Sequence, residues 1–164
     1  MSYQTSRNWA DAYLPQQNQI ACGLLLEKNL ISVVFTPPTY AEDAISGVDT
    51  YIDISRLKLA YRVRKQSDHD YWRKGFTLRT SKKNGHLSEL EKVMAQSADY
   101  ADYLLYSVAD DEPGQLMCSC LIDLKSCGAQ LVAYPEILNK AHFGNGFVDL
   151  PYELFPDHIV MGIH

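Results

Sequence analysis

The chain has 164 residues, of which 46% are hydrophobic and 21% are charged. This length suits a single domain with its own apolar core, and this composition excludes global disorder and a coiled coil. No apolar run approaches the roughly 18 residues that a membrane helix needs, and the N-terminal segment lacks the pattern of a signal peptide. We therefore expect one cytoplasmic domain over residues 1–164 with no membrane partner.

Charge is strongly segregated along the chain, although its net value is only −5. Residues 56–83 carry ten basic and two acidic side chains, whereas residues 84–164 carry three basic and twelve acidic ones. A concentrated basic block indicates a surface for a polyanion. The alternative is a solvated basic hairpin that the acidic C-terminal half neutralises. Four aromatic residues within the block are able to stack on bases: Tyr61, Tyr71, Trp72 and Phe76.

The first third of the chain predicts little regular structure. Residues 1–20 are expected to be irregular apart from a short helix, and the apolar patch at 21–26 to end a helix. Residues 31–35 predict a strand, which the prolines at 37 and 38 would stop. Thr39 can cap a short helix over 40–46.

Three short β-like runs follow, at 51–54, 57–64 and 76–80. The second alternates, so that Arg62 and Arg64 share its polar face and the apolar residues share the other. In the third, Phe76 and Leu78 face one way, while Thr77 and Arg79 face the other.

The second half predicts a helix, a hairpin and a further helix. Ser88 and Glu91 form a capping box that begins a helix over 88–97. Residues 103–109 and 116–124 are apolar on both faces and flank a tight turn, which predicts a buried β-hairpin. Residues 125–139 are expected to be helical, with a strand near 146–150. The order predicts an α/β (α+β) fold with a mixed, partly antiparallel sheet flanked by helices, its core at about 21–124 and a C-terminal extension over 125–164.

Acidic and basic residues around these strands suggest phosphate chemistry. Asp49 precedes the strand at 51–54, and Glu42 and Asp43 lie on the predicted helix before it. A meander of the three strands would bring these acids to the face that carries Arg62, Arg64, Thr77 and Arg79. The carboxylates could then hold a hard divalent metal ion, while the cations would neutralise a phosphodiester.

The element order and several short motifs resemble the PD-(D/E)XK nuclease-like superfamily, whose core is αβββαβ, as in restriction endonucleases. More narrowly, the chain is similar to a set of phage-encoded proteins with that predicted fold, which implies the host cytoplasm. The resemblance spans roughly 8–124. The matching motifs are Asn8-Trp9, Asp49, Arg62-Val63-Arg64, Phe76-Thr77-Leu78-Arg79, Ser88-Glu89-Leu90-Glu91-Lys92 and Asp102-Tyr103-Leu104-Leu105-Tyr106.

This resemblance implies metal-dependent phosphodiester hydrolysis of DNA. Asp49 and Arg62 would be the catalytic residues, and Mg²⁺ or Mn²⁺ would be held by Asp49 with Glu42 or Asp43. The nucleic-acid contacts would come from six further residues: Arg64, Lys65, Arg73, Lys74, Thr77 and Arg79. The family's E/Q-x-K motif is degenerate, because with Arg62 in the lysine place Ala60 stands in the acid place and offers no ligand oxygen.

Either another acid (Glu42, Asp43 or Glu89) takes the place of the missing ligand, or cleavage activity is lost. The second case opens another class of function. The chain would then be a catalytically inactive relative that binds nucleic acid or a protein partner, without a metal ion. A structural or host-inhibiting phage protein would dock through the acidic C-terminal half.

The candidate residues also have structural explanations. Asp49 suits a turn, Arg62 and Arg64 suit a solubilised sheet edge, and Arg79 suits an ion pair with an acid such as Glu89.

Overall fold

The structure, a computed structural model, describes residues 9–31, 33–36, 51–54, 57–65, 74–81, 86–98, 100–110 and 114–162. Helices combined with partly antiparallel β-structure confirm the predicted fold class. The helices are α1 (Leu14–Glu27), α2 (Glu89–Met94), α3 (Leu124–Ala133) and α4 (Glu136–Lys140). The strands are β1 (Val33–Thr36), β2 (Tyr51–Ile54), β3 (Leu59–Lys65), β4 (Gly75–Arg79), β5 (Tyr103–Ala109), β6 (Leu116–Asp123), β7 (His142–Gly144), β8 (Phe147–Pro151) and β9 (Val160–Met161). None of the described helices is long and apolar enough to cross a membrane.

The described strands form three separate sheets. The larger sheet has the order β3-β5-β6-β9, with β3 and β5 parallel and the other neighbours antiparallel. A three-stranded antiparallel sheet has the order β4-β8-β7, and β1 pairs with β2. The predicted hairpin is confirmed as β5 and β6, and the strand near 146–150 is confirmed as β8.

The expected meander of β2, β3 and β4 is wrong. β2 pairs with β1, β3 pairs in parallel with β5, and β4 pairs with β8. A parallel pair needs a long crossover, which here runs from β3 through β4 and α2 to β5. The partner of β4 comes from the C-terminal segment, which lies far away in the sequence.

The first helix is longer than the sequence predicted. α1 covers residues 14–20, which were expected to be largely irregular, and Pro15 lies in its first turn. Its buried residues, Gln17, Ala21, Leu24 and Leu25, follow helical spacing. The glutamine at the first of these positions obscures the apolar pattern of that face.

The other helices begin and end at identifiable signals. The capping box of α2 is confirmed, since the Ser88 hydroxyl accepts a hydrogen bond from the Glu91 N–H and the Glu91 carboxylate accepts one from the Ser88 N–H. Asp123 caps α3 by accepting hydrogen bonds from the backbone N–H groups of Lys125 and Ser126. The helix expected over 125–139 is divided between α3 and α4, because Pro135 disfavours helical geometry at the residue before it.

The larger sheet is packed on both faces. On one face, Leu105 and Leu121 contact Ala21, Leu24 and Leu25 of α1. On the other face lies the main core, to which β4 and β8 contribute Phe76, Leu78, Val148 and Leu150, and α3 contributes Cys127 and Leu131. The segment after residue 124 is therefore an integral part of the main core.

Candidate functional site

Three arginine side chains converge on one aromatic ring. The guanidinium carbons of Arg62, Arg64 and Arg79 lie 5.8, 5.0 and 5.6 Å from the centroid of the Phe147 ring. These distances lie within the range of cation–π attraction. We call these four residues the arginine cluster. It joins β3 of the larger sheet to β4 and β8 of the smaller one.

Strand geometry explains why the cluster forms. Side chains alternate along β4, so the buried residues Phe76 and Leu78 fill the core while Thr77 and Arg79 lie on the opposite face. In the register of β4 and β8, Arg79 is directly opposite Phe147 and Thr77 is opposite Asp149. Arg62 and Arg64 lie two residues apart on β3, and their side chains therefore reach the same region.

Thr77 anchors two of the arginines. The Arg62 Nη1 donates a hydrogen bond of 2.6 Å to the Thr77 carbonyl oxygen. The Arg64 Nη2 donates one of 3.1 Å to the Thr77 hydroxyl. Thr77 is fully buried, so both guanidinium groups are tied to a rigid strand. This reduces the conformational entropy that a ligand would otherwise have to remove.

Glu89 fixes the cluster from the side of α2. Its carboxylate oxygens lie 2.7 and 2.6 Å from the Arg62 Nη2, and the Arg79 backbone N–H donates to Oε2 over 2.8 Å. Burial opposes ionisation of Glu89, but the Arg62 charge and these hydrogen bonds outweigh it and hold the pKa below its ordinary value. The structural alternative for Arg79 is thus correct in part: Glu89 contacts the backbone of Arg79 and the side chain of Arg62.

The same buried charges also affect the pKa of Tyr100. Burial, followed by the negative charge of Glu89, raises the pKa of Tyr100 to about 12. The positive charges of Arg62 and Arg79 oppose this shift. Tyr100 therefore stays neutral at physiological pH, and the cluster gains no negative charge from it.

A cavity of about 380 Å³ adjoins the arginine cluster. Its walls include Arg64, Thr77, His142, Asn145, Phe147 and Asp149. Asn145 and Gly146 both have positive φ angles, 48° and 78°, and form the tight turn between β7 and β8. This turn places Asn145 and Phe147 beside each other at the cavity wall.

Asp149 is the acidic residue of this cavity. Burial raises its pKa, while the His142 on the neighbouring strand lowers it by a smaller amount. Its Oδ1 atom is buried and has no hydrogen-bond partner in the described part of the chain. Gly75 leaves room for this oxygen, because a Cβ atom at residue 75 would lie only 2.7 Å from it.

The candidate residues from the sequence fall into three groups. Arg62, Arg64, Thr77 and Arg79 come together as the sequence predicted. Lys65 lies apart, with its Nζ 5.3 Å from the Trp9 ring centroid, and Lys74 is exposed at the start of β4. The other four lie outside the described residues: Glu42, Asp43, Asp49 and Arg73.

Sequence reasoning missed the C-terminal half of this site. The candidates from the sequence do not include His142, Asn145, Phe147 or Asp149. A signal existed in the alternation of the segment Phe147-Val148-Asp149-Leu150, which places an aromatic ring and a carboxylate on one face of a strand.

The described residues contain no group of three or more His, Cys, Asp or Glu side chains that could hold a metal ion. Ala60 on β3 supplies no ligand oxygen. The acids that the sequence suggested as metal ligands, at 42, 43 and 49, lie outside the described ranges.

The comparisons with known proteins give no neighbour: no family model, curated protein or solved structure matches the chain.

Proposed function

We propose that this protein binds nucleic acid, with DNA as the favoured partner, by holding backbone phosphates at the arginine cluster. The observation that carries this proposal is the convergence of three guanidinium groups on Phe147. Guanidinium groups match phosphate oxygens in geometry and stay charged at all physiological pH values. Two of them are also held in place by the buried Thr77.

The charge distribution supports the same proposal. The block at 56–83 has a net charge of +8, counted from ten basic and two acidic residues, in a chain whose total is −5. The remainder of the chain therefore repels a polyanion. A confined basic region on an acidic protein orients the approach of nucleic acid and restricts it to one face.

Arg64 and Arg79 are the residues to test, because a substitution of Arg62 would also break its ion pair with Glu89. We expect Arg64→Gln and Arg79→Gln each to weaken binding of a labelled 20-nucleotide DNA, measured by fluorescence anisotropy over a KCl series. Each substitution should reduce the slope of log Kd against log salt by about the amount that one phosphate contact contributes.

Lys140→Gln is the matched control, since it removes one charge from an exposed position on α4. It should leave affinity and slope unchanged. Equal affinity of the wild type and the Arg64→Gln/Arg79→Gln double variant for both single-stranded and double-stranded DNA would refute the proposal.

Metal-dependent hydrolysis of the bound phosphodiester is the second candidate function. The observation that favours it is the strand at 51–54, which the family pattern requires directly after Asp49. Asp49 with Glu42 or Asp43 would hold Mg²⁺ or Mn²⁺, which supplies charge stabilisation and an activated water. Arg62, fixed by Glu89, would act as a stationary positive charge.

Metal binding can be tested without knowing the substrate. Calorimetric titration with Mn²⁺ should detect binding in the wild type and none in Asp49→Asn. No binding in either protein would leave the nucleic-acid-binding proposal standing and remove the hydrolytic one.

A further inference from the structure

A second group of cations lies near the arginine cluster. The acidic C-terminal half has three basic residues, and two of them, Lys92 and Lys125, line one shallow depression together with Tyr100. Lys58, which directly precedes β3, adjoins this depression, because its Nζ donates a hydrogen bond to the carbonyl oxygen of Ala98. We call Lys58, Lys92 and Lys125 the lysine group.

Tyr100 adjoins both the lysine group and the arginine cluster. The Lys92 Nζ lies 5.6 Å from the centroid of the Tyr100 ring, which is within the range of cation–π attraction. Burial, followed by the charge of Glu89, raises the pKa of Tyr100 to about 12. The charges of Arg62 and Arg79 oppose this shift, so the hydroxyl group lies close enough to both to interact with them. A neutral Tyr100 does not repel a phosphate group that approaches either set of cations.

The backbone next to β3 aligns the two groups of cations. The ladder with β5 continues to Lys58, whose carbonyl oxygen accepts a hydrogen bond of 3.2 Å from the Tyr103 N–H. Alternation therefore places Lys58 on the same face as Arg62 and Arg64. At about 3.3 Å per residue, the Cα atoms of Lys58 and Arg62 are about 13 Å apart. This distance corresponds to the rise of about four nucleotides in a DNA strand.

Nearby acids reduce the charge of the lysine group but do not cancel it. The Asp102 Oδ1 lies 2.9 Å from the Lys125 Nζ, and Asp123 caps α3. Three lysines against these two carboxylates leave a net charge of +1. An ammonium group has three N–H donors, of which Asp102 occupies one on Lys125. The Lys125 side chain is 66% exposed, so its other donors can reach a phosphate oxygen.

We propose that the lysine group is a second phosphate-binding site, and that one DNA strand occupies it together with the arginine cluster. Charge complementarity and the alignment along β3 support this occupant. Lysine binds phosphate as a point charge, so the second site adds affinity and salt dependence without selecting a base. This inference rests on the proposed nucleic-acid function and extends its binding surface to α2 and α3.

Lys92→Gln and Lys125→Gln test the second site. Binding of a labelled single-stranded 20-nucleotide DNA is measured by fluorescence anisotropy over a KCl series. Each variant should bind more weakly than the wild type, and the slope of log Kd against log salt should fall by about 0.7, which is the contribution of one phosphate contact on a single strand. Lys140→Gln is the matched control, because it removes one charge from an exposed position on α4, and it should leave affinity and slope unchanged.

Asp102→Asn tests the same site by a gain of affinity. The substitution removes the carboxylate that pairs with Lys125, so the DNA should bind more tightly. Partial unfolding of the variant cannot explain such a gain. Asp157→Asn makes the same change at an exposed turn before β9 and should leave the affinity unchanged.

The outcomes separate the two proposals. Unchanged slopes in Lys92→Gln and Lys125→Gln, together with weaker binding by the Arg64→Gln/Arg79→Gln double variant, would overturn the lysine site and leave the proposed function intact. An equal fall in slope in Lys140→Gln would also overturn it, because the total charge and not the position would then set the affinity. Absence of DNA binding by the wild type at low salt would overturn the proposed function and the lysine site with it.

Discussion

The ion pair between Arg62 and Glu89 allows the arrangement of the arginine cluster to be tested by one substitution. Glu89→Gln removes the negative charge but keeps the shape of the side chain and one acceptor oxygen. In the native protein the carboxylate accepts hydrogen bonds from Arg62 and from the Arg79 N–H. The side chains of Arg62 and Glu89 are only 14% and 20% exposed.

The expected loss of stability follows from these contacts. A hydrogen bond to a charged group contributes about 1.5–3 kcal/mol, and breaking a buried ion pair costs about 3–5 kcal/mol. Because this pair is partly exposed and Gln retains an acceptor, we expect the free energy of unfolding to fall by about 2–3 kcal/mol. For a chain of this length, Tm would fall by about 4–12 °C.

Nucleic-acid binding should change in the opposite direction. Glu89→Gln leaves the positive charge of Arg62 without its carboxylate, so DNA affinity should rise and the salt slope should steepen by about one contact. Urea denaturation and fluorescence anisotropy measure the two effects on the same preparation. A variant that is less stable and yet binds more tightly cannot be explained by partial unfolding.

A double-mutant cycle provides the control. Arg62→Gln, Glu89→Gln and the double variant should give a coupling energy of at least about 1 kcal/mol, whereas distant residues add within about 0.5 kcal/mol. Glu153→Gln, at an exposed position, should change neither stability nor binding. Additive effects of the two cluster substitutions would refute the reasoning.

The same ion pair predicts a pH dependence. The pKa of Glu89 is below its ordinary value of 4.5, so its contribution to stability is present above that value and is lost as pH falls through the folded-state pKa. The difference in unfolding free energy between wild type and Glu89→Gln should therefore be constant near neutral pH and shrink below about pH 4.5. A difference that does not change with pH in this range would contradict the assignment.

Three further substitutions test the packing and the polar contacts. Gly128→Ala should destabilise the protein by about 1–3 kcal/mol in urea denaturation, because an added Cβ would collide with the Val93 carbonyl where α3 crosses α2. Asp123→Ala should cost about 1 kcal/mol through loss of the α3 cap, and a comparable effect from Asp157→Ala would contradict this. Asp149→Asn should be at least as stable as the wild type near neutral pH. Burial raises the pKa of Asp149, so its ionisation at that pH opposes folding. A clear loss of stability in this variant would contradict the assigned direction of the pKa shift.

Local patterns in the sequence were sufficient to predict most of the elements. Alternation in the segments that became β3 and β4 correctly placed Arg62 and Arg64 on one face and Thr77 with Arg79 on another. The Ser88–Glu91 capping box was also recognisable, because both residues act within one turn of helix. These predictions succeeded because each depends on residues that are close in the sequence.

Strand pairing could not be predicted in this way. β4 lies beside β8 rather than β3, and Phe147 reaches the arginines from a position almost seventy residues after Arg79 in the chain. No local pattern specifies which distant strand becomes a neighbour. The convergence of the cluster was therefore predicted for an incorrect reason: the arginines meet across two sheets, whereas the sequence suggested one meander.

The most direct test of nucleic-acid binding at the arginine cluster is an NMR titration of the ¹⁵N-labelled protein with a short single-stranded DNA at low salt. If the arginine cluster binds the DNA, the side-chain Nε–H signals of Arg64 and Arg79 and the backbone amide of Phe147 shift together, and added KCl reverses the shifts. Amide signals of α4 should stay in place. Shifts confined to other surfaces, or no shifts at all, would contradict the claim that the arginine cluster binds nucleic acid.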